Sequence, residues 1–279
     1  MKIDRIVAAA DESEASRQAI RAALAWAHRL RADVTLYHVA AQRPVAALAH
    51  LGGGEGVEPA SVLDGTGAIG HWVAGELAER PGQPVLTIET GRGLPGIEIP
   101  RFAERAGAGL LVLGRKPRSQ AQRLFEGDTA DAVARRSTVP CLFVRGPLGV
   151  PVRMLVAVDG TDRGLAVLRF ALGVATGLSS PLSGVIVEPA HAGEPAELAR
   201  TVPSARVEAL QRRLDGAVQP LVVRRGDPAT EILRAADHTR ADVVVIGYRR
   251  GGPPGLIEGR SVARRVAHRA ACAVLTVPL

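Results

Sequence analysis

Residues 242–277 read DVVVIGYRRGGPPGLIEGRSVARRVAHRAACAVLTV. Val243-Val244-Val245-Ile246 is an unbroken apolar run of β-branched residues, which suits a parallel strand buried on both faces. The run stops at Gly247, and a loop rich in glycine and arginine, Tyr248 to Arg260, takes over. Ser261 then stands before Val262, Val266 and Ala270, spaced i, i+4, i+8 as on the buried stripe of a helix. Cys272 to Val277 closes the stretch as a second apolar strand. A glycine loop that feeds a helix start can offer backbone N–H groups and the positive dipole end to a phosphate, so a ligand is sought here first.

The same design occurs earlier. Leu110-Leu111-Val112-Leu113 ends at Gly114, an arginine-containing loop runs to Gly127-Asp128, Ala130, Val133 and Ala134 carry a helical pattern, and Cys141 to Val144 closes it. The duplication extends to the first residues, where Ile6 to Ser13 matches Leu155 to Thr161. Asp11 falls on Asp159 at an offset of 148 residues, Gly114 on Gly247 at 133, and Cys141 on Cys272 at 131. The second copy is thus expected to be about 15 residues shorter, the loss falling at the first copy's long loop after residue 40. A period of this size implies two homologous domains, 1–146 and 151–279, rather than a solenoid of short repeats. Gly146 to Pro151 reads as a short, turn-forming linker.

A chain of 279 residues, 47% hydrophobic, can fill two cores of ordinary size. Its apolar runs fall short of a membrane helix and no leader pattern opens it, so a soluble, cytoplasmic protein is expected. The two cysteines, one per copy, read as small buried hydrophobes. Of the 35 Lys and Arg residues only Lys2 and Lys116 are lysine, and the net charge is +7. With aromatics at 3% and the arginines scattered among acids, that balance reads as a solvated surface and argues against nucleic acid.

Taken in order, Lys2–Ala10 is read as a strand, Ser13 as the cap of a helix with Ala19, Ile20, Ala23, Leu24, Ala27 and Leu30 on its stripe, and Val34–Val39 as the next strand. Residues 40 to 60 read as a loop and 61 to 79 as a glycine-weakened helix. Val85–Glu89 is a strand, and Gly91-Arg92-Gly93 opens a helix to about Ala106. The second copy gives strands at Arg153–Val158, Leu182–Val187 and Val218–Arg224, with helices at 163–177, 194–214 and from Asp227 to about Thr239, where Asp227 is the cap and Pro228 the first helical residue. Strands and helices alternating twice over define an α/β fold of two doubly wound five-stranded parallel sheets. Ligands in such sheets bind beyond the carboxyl ends of the strands, where Asp11, Asp159, Gly114 and Gly247 fall.

The order of elements resembles the universal stress protein family, as a tandem of two such domains. The residues that carry the likeness are Val158 to Thr161, Arg225 to Pro228, Gly247 to Gly251 and the tail Ala271 to Val277. The resemblance implies strand order 3-2-1-4-5, pairing of domains through the last strand, and hence an internal pseudo-dimer or a homodimer. It also implies that Asp11 and Asp159 hold a ribose or a nearby metal while Val39 and Val187 meet an adenine. An Asp after a strand is equally a helix cap.

Nucleotide-binding members of that family carry Gly, two residues, Gly, nine residues, then Gly with Ser or Thr, around the phosphates of ATP. On the first copy Gly114 and Gly127 fit, but the middle glycine falls on Pro117 and the hydroxyl on Asp128. On the second, Gly247 and Ser261 fit, while the later glycines fall on Arg250 and Arg260; a shift of one residue recovers Gly251 or Gly259 and loses the spacing. Pro117 lacks an N–H, and Asp128 sets a carboxylate against phosphate unless, with Asp131, it serves as a helix cap. Arg249, Arg250 and Arg260 instead favour an anion, so ATP suits the second copy better.

Enzyme signatures are missing: there is no Gly-x-Gly-x-x-Gly after the first strand and no phosphate-loop lysine. A phosphoreceiver would end its third strand on aspartate, where this chain has Glu89-Thr90 and Arg224-Arg225. His28, His238 and His268 lie in helical patterns rather than in a cluster. The expectation is a non-catalytic stress-response or regulatory module with degenerate nucleotide sites, acting through a partner protein. The alternative is an ATP sensor that uses the Gly247–Ser261 loop.

Overall fold

The computed structural model describes residues 3–41, 67, 69–74, 86–115, 129–159, 161–188, 208, 218, 221–249 and 261–279. In the first half, the strands are β1 (Arg5–Ala9), β2 (Asp33–Ala41), β3 (Leu86–Gly93), β4 (Leu110–Gly114) and β5 (Cys141–Val144). The helices labelled in it are α1 (Glu14–Leu30), α2 (Pro95–Arg105) and α3 (Thr129–Arg136), and residues 69–74 are helical as well, within the helix expected at 61–79. The second half has β6 (Met154–Val158), β7 (Leu182–Glu188), β8 (Leu221–Arg225), β9 (Val243–Tyr248) and β10 (Ala273–Pro278), with α4 (Asp162–Gly177), α5 (Pro228–His238) and α6 (Val262–Arg269).

The ten strands among the described residues belong to one sheet, in the order β3-β2-β1-β4-β5-β10-β9-β6-β7-β8. Each half is parallel within itself and has the expected order 3-2-1-4-5. The two five-stranded sheets are continuous, because β5 and β10 pair antiparallel: Phe143 with Val274, Leu142 with Leu275 and Cys141 with Thr276. Pairing through the last strand therefore occurs inside the chain.

The register refines the repeat. Leu36 pairs with Ile88 and Gly184 with Leu221, so the offset changes from 148 to 133 between the second and third strands of each half, as expected from the long loop. Leu111 pairs with Cys141 and Val244 with Val274, so 133 persists into the last strand. Cys141 is thus the counterpart of Val274, and the 131-residue match to Cys272 is a chance alignment of like residues.

Burial follows the two-residue period of strands. On one face, Ile6, Ala8, Val112, Leu142, Val156, Val245 and Leu275 join α1 and α4 in a single core that crosses from one half to the other. On the other face the core is split: Val7, Leu111, Leu113 and Phe143 pack with α2 and α3, while Leu155, Val185, Val244 and Ile246 pack with α5 and α6. Helix α1 starts where Ser16 N–H donates to Ser13 Oγ at 3.2 Å, and Ala19, Ile20, Ala23, Leu24 and Ala27 are buried as the spacing predicts. Trp26, also fully buried, extends that stripe. Thr161 and Asp227 cap α4 and α5 in the same way, through the N–H groups of Gly164 and Thr230.

Several boundaries differ from expectation, among them the end of β9, which runs on through Gly247 to Tyr248. Strand β3 runs on to Gly93 because β2 remains paired with it as far as Ala41, so Gly91 to Gly93 are strand and α2 begins at Pro95. Strand β8 starts at Leu221 rather than Val218. The readings for most of 40–80 and for 194–214 lie outside the described residues.

Candidate functional site

In each half the strand order turns back between the first and fourth strands, the place where open α/β sheets receive ligands. Beyond β1, Ala10 N–H still bonds to the Tyr37 carbonyl at 2.9 Å, and the chain then turns at Asp11. The Oδ1 of Asp11 accepts from Ser13 N–H at 2.9 Å and from the Ser13 hydroxyl, while Asp11 N–H donates to Ser16 Oγ at 2.9 Å. The second half repeats this turn: Asp159 Oδ1 accepts from Thr161 N–H at 3.0 Å and from Thr161 Oγ1 at 2.6 Å. Neither acid is itself the cap. Each braces the hydroxyl residue that caps the next helix, and both remain exposed.

Val39 and Val187 are half-buried near the ends of β2 and β7, paired with Gly91 and Arg224. The register sets Tyr37 beside Ala9 and Ile186 beside Val158, which brings Val39 and Val187 to the rim where Asp11 and Asp159 emerge. Gly114 ends β4, and Gly247 is the last residue but one of β9; both lie at the same rim, paired with Val144 and Val277. The structure therefore gathers Asp11, Val39 and Gly114 at one strand end, and Asp159, Val187 and Gly247 at the other. Gly127, Arg250, Gly251, Gly259 and Arg260 lie outside the described residues, as do Pro117 and Asp128.

The two glycines are small for different reasons. A methyl at Gly114 would overlap the Ala15 carbonyl and come within 2.7 Å of Ser16 N, so the first turn of α1 rests directly on β4. At Gly247 the neighbours are side-chain atoms, Leu279 Cδ1 at 2.8 Å and Val167 Cγ2 at 3.1 Å. Ser261 caps α6, its Oγ accepting from Arg264 N–H at 3.3 Å.

The residues that follow these glycines turn inward. Tyr248 and Arg115, equivalent at an offset of 133, are both buried, although the sequence places them in loops. Arg115 lies near enough to Asp131 on α3 to favour its ionised form. On Asp131, burial opposes ionisation, but the His268 hydrogen bond and the charges of His268, Arg115 and Arg264 outweigh it and hold the carboxyl below the usual carboxylate range. His268 Nε2 and Arg264 Nη2 lie 2.7 and 3.6 Å from Asp131 Oδ2, so this acid joins the halves as well as standing in the first turn of its helix.

The contacts of other charged groups near the strand ends were not read from the sequence, although Asp227 was read there as a cap. Arg225 Nε donates to Glu188 Oε2 at 2.8 Å beside Val187. Arg265 grips Asp227 through both guanidinium nitrogens at 3.1 and 2.6 Å; this contact, with the Thr230 bonds, pulls the Asp227 carboxyl far below its usual range. His38 Nδ1 lies 2.8 Å from the Ala10 carbonyl, next to Asp11. Alternation along β7 and β8 hints at the Glu188–Arg225 pair, but the match depends on a register that only the folded sheet fixes. Among the described residues no group of His, Cys, Asp or Glu is arranged to hold a metal ion, and no helix is long and apolar enough to cross a membrane.

Two doubly wound α/β halves, joined edge to edge and carrying an acid and a glycine at equivalent strand ends, define a tandem protein of the Rossmann-like class. The family model for the Universal stress protein family matches residues 2–145 and again residues 152–278, and the chain belongs to that family. It is similar to the universal stress protein MJ0531 of Methanocaldococcus jannaschii, at 29% identity over 143 residues that make up 51% of this chain and 82% of the relative. A universal stress protein structure from Archaeoglobus fulgidus DSM 4304 aligns with a TM-score of 0.74 at 17% identity, covering 99% of this chain and 97% of that one. One described as a universal stress protein from Pseudomonas aeruginosa UCBPP-PA14 aligns with a TM-score of 0.67 at 17% identity, covering 99% and 93%. At that identity the structural likenesses establish the fold.

Proposed function

We propose that this tandem universal stress protein is a non-catalytic regulatory module whose first nucleotide site has been given over to structure, and that it acts through a partner protein. The observation that carries this reading is the burial of Arg115 beside Asp131, directly after Gly114. The start of the first-half phosphate loop thereby serves the joint between the halves, and Gly114 itself is filled by the first turn of α1.

A second reading rests on the other half. Ser261 sits at the positive end of α6, whose first turn holds no acid, and Arg249 is exposed at the opposite end of the loop. A phosphate between them would meet helix-end N–H groups, a hydroxyl and arginine side chains. On this reading the second half senses ATP or a related phosphorylated ligand. Equilibrium dialysis with labelled ATP, with and without magnesium, on the wild type and on Arg250→Glu/Arg260→Glu separates the two. No binding at millimolar nucleotide supports the degenerate module; saturable binding lost in the double variant supports the sensor. Release of inorganic phosphate at a rate above background would overturn the non-catalytic assignment.

A further inference from the structure

The strand pair that joins the halves cannot by itself choose a partner. Leu142 and Leu275 are the same position of the repeat, carry the same side chain and face each other, so two like halves could be joined there equally well. The helices over the opposite face of that strand pair do differ. Helix α3 carries both signs, with Asp131 in its first turn and Arg135 and Arg136 in its last. Helix α6, VARRVAHR, carries Arg264, Arg265, His268 and Arg269 and no acid.

Asp131 and Arg264 occupy the same position of the repeat, at the 133-residue offset. They nonetheless meet across the joint, Arg264 Nη2 to Asp131 Oδ2 at 3.6 Å, with only 21% of the Arg264 side chain and 16% of the Asp131 side chain exposed. A position that meets its own counterpart lies close to the two-fold relation between the halves. Pairing two second halves would therefore set Arg264 against Arg264, with His268 from both sides and no carboxylate on either helix. Like charges in a partly desolvated contact repel far more than they would in water.

We propose that Asp131 sets the pairing specificity of the chain: the α6 face accepts a first half, whose acid seats Arg264 and His268, and rejects a second half. The interaction surface formed by β10 and α6 thus fits the unlike half of this protein, which the tandem chain supplies to itself. The test uses the full chain and near-isosteric neutral variants, Asp131→Asn, Arg264→Gln and the two combined. Melting temperature is read together with hydrogen exchange in peptides covering 141–144 and 273–278. Asp131→Asn is expected to lower Tm by about 3 °C and to speed exchange in both strands. Because Arg264→Gln removes part of the charge that the acid offsets, the combined loss is expected to be smaller than the sum of the single losses. Additive losses, or an Asp131→Asn protein with wild-type Tm and exchange, overturn the proposal.

Discussion

Leu142 of β5 lies directly opposite Leu275 of β10, and both are fully buried in the core that runs beneath α1 and α4. Equivalent residues of the two repeats therefore form one contact, and either truncation opens the same cavity. Leu142→Ala and Leu275→Ala are each expected to cost about 3 kcal/mol, the usual range for a buried leucine in a core that cannot collapse. Urea denaturation monitored by circular dichroism measures this. A loss below about 1 kcal/mol in either variant would mean that the joint is loosely packed.

Gly114 is predicted to be the less tolerant of the two strand-end glycines. Its neighbour is backbone, the Ala15 carbonyl, which cannot move without shifting α1. Gly114→Ala should destabilise by about 2 kcal/mol or more, whereas Gly247→Ala, facing the movable Leu279 and Val167 side chains, should cost about 1 kcal/mol. Equal midpoints for the two variants would contradict the close approach of α1 to β4.

Acid should weaken the joint. The folded Asp131 carboxyl binds its proton less readily than an unfolded one, whose value is about 3.9. Its contribution is therefore fully present above the unfolded value and is lost as pH falls through the lowered folded value, because the unfolded chain takes up the proton first. Asp131→Asn lacks this contribution at every pH. The gap in Tm between wild type and variant should narrow as pH is taken from 6 down to 3, as scanning calorimetry will show.

Both thiols should be slow to react in the native protein. Burial pushes the Cys141 thiol up to about 12 and raises that of Cys272 as well, and Cys141 is 1% exposed. The thiolate is the reactive form. Titration with a disulfide reagent at pH 8 should find both cysteines in denaturant and neither promptly without it, Cys272 reacting ahead of Cys141. Prompt reaction of Cys141 would show that β5 opens readily.

The duplication and the caps at Ser13 and Asp227 were legible in the sequence because each rests on local signals: apolar runs, helical spacing, and a short polar residue before a helix; the strand order followed from the family resemblance. The roles of Arg115 and Asp131 were not legible. Arg115 follows a strand-end glycine, where loops begin, and Asp131 stands in a first turn, where acids commonly support a cap. The ion-pair partners of Asp131 are Arg264 and His268, more than 130 residues away, and only the sheet's register brings these groups together. The same dependence on register explains the misaligned cysteines: residue identity matched Cys141 to Cys272, but the ladder matches it to Val274.

The antiparallel joint has a further consequence. Since β5 and β10 run in opposite directions, the strand ends that carry Asp11 and Gly114 open on one margin of the sheet, and those that carry Asp159 and Gly247 open on the margin opposite. A molecule docked at one margin is separated from anything docked at the other by the length of the strands and, across the sheet, by β5 and β10. The chain is built as a two-sided plaque, able to present a different surface to each side at once.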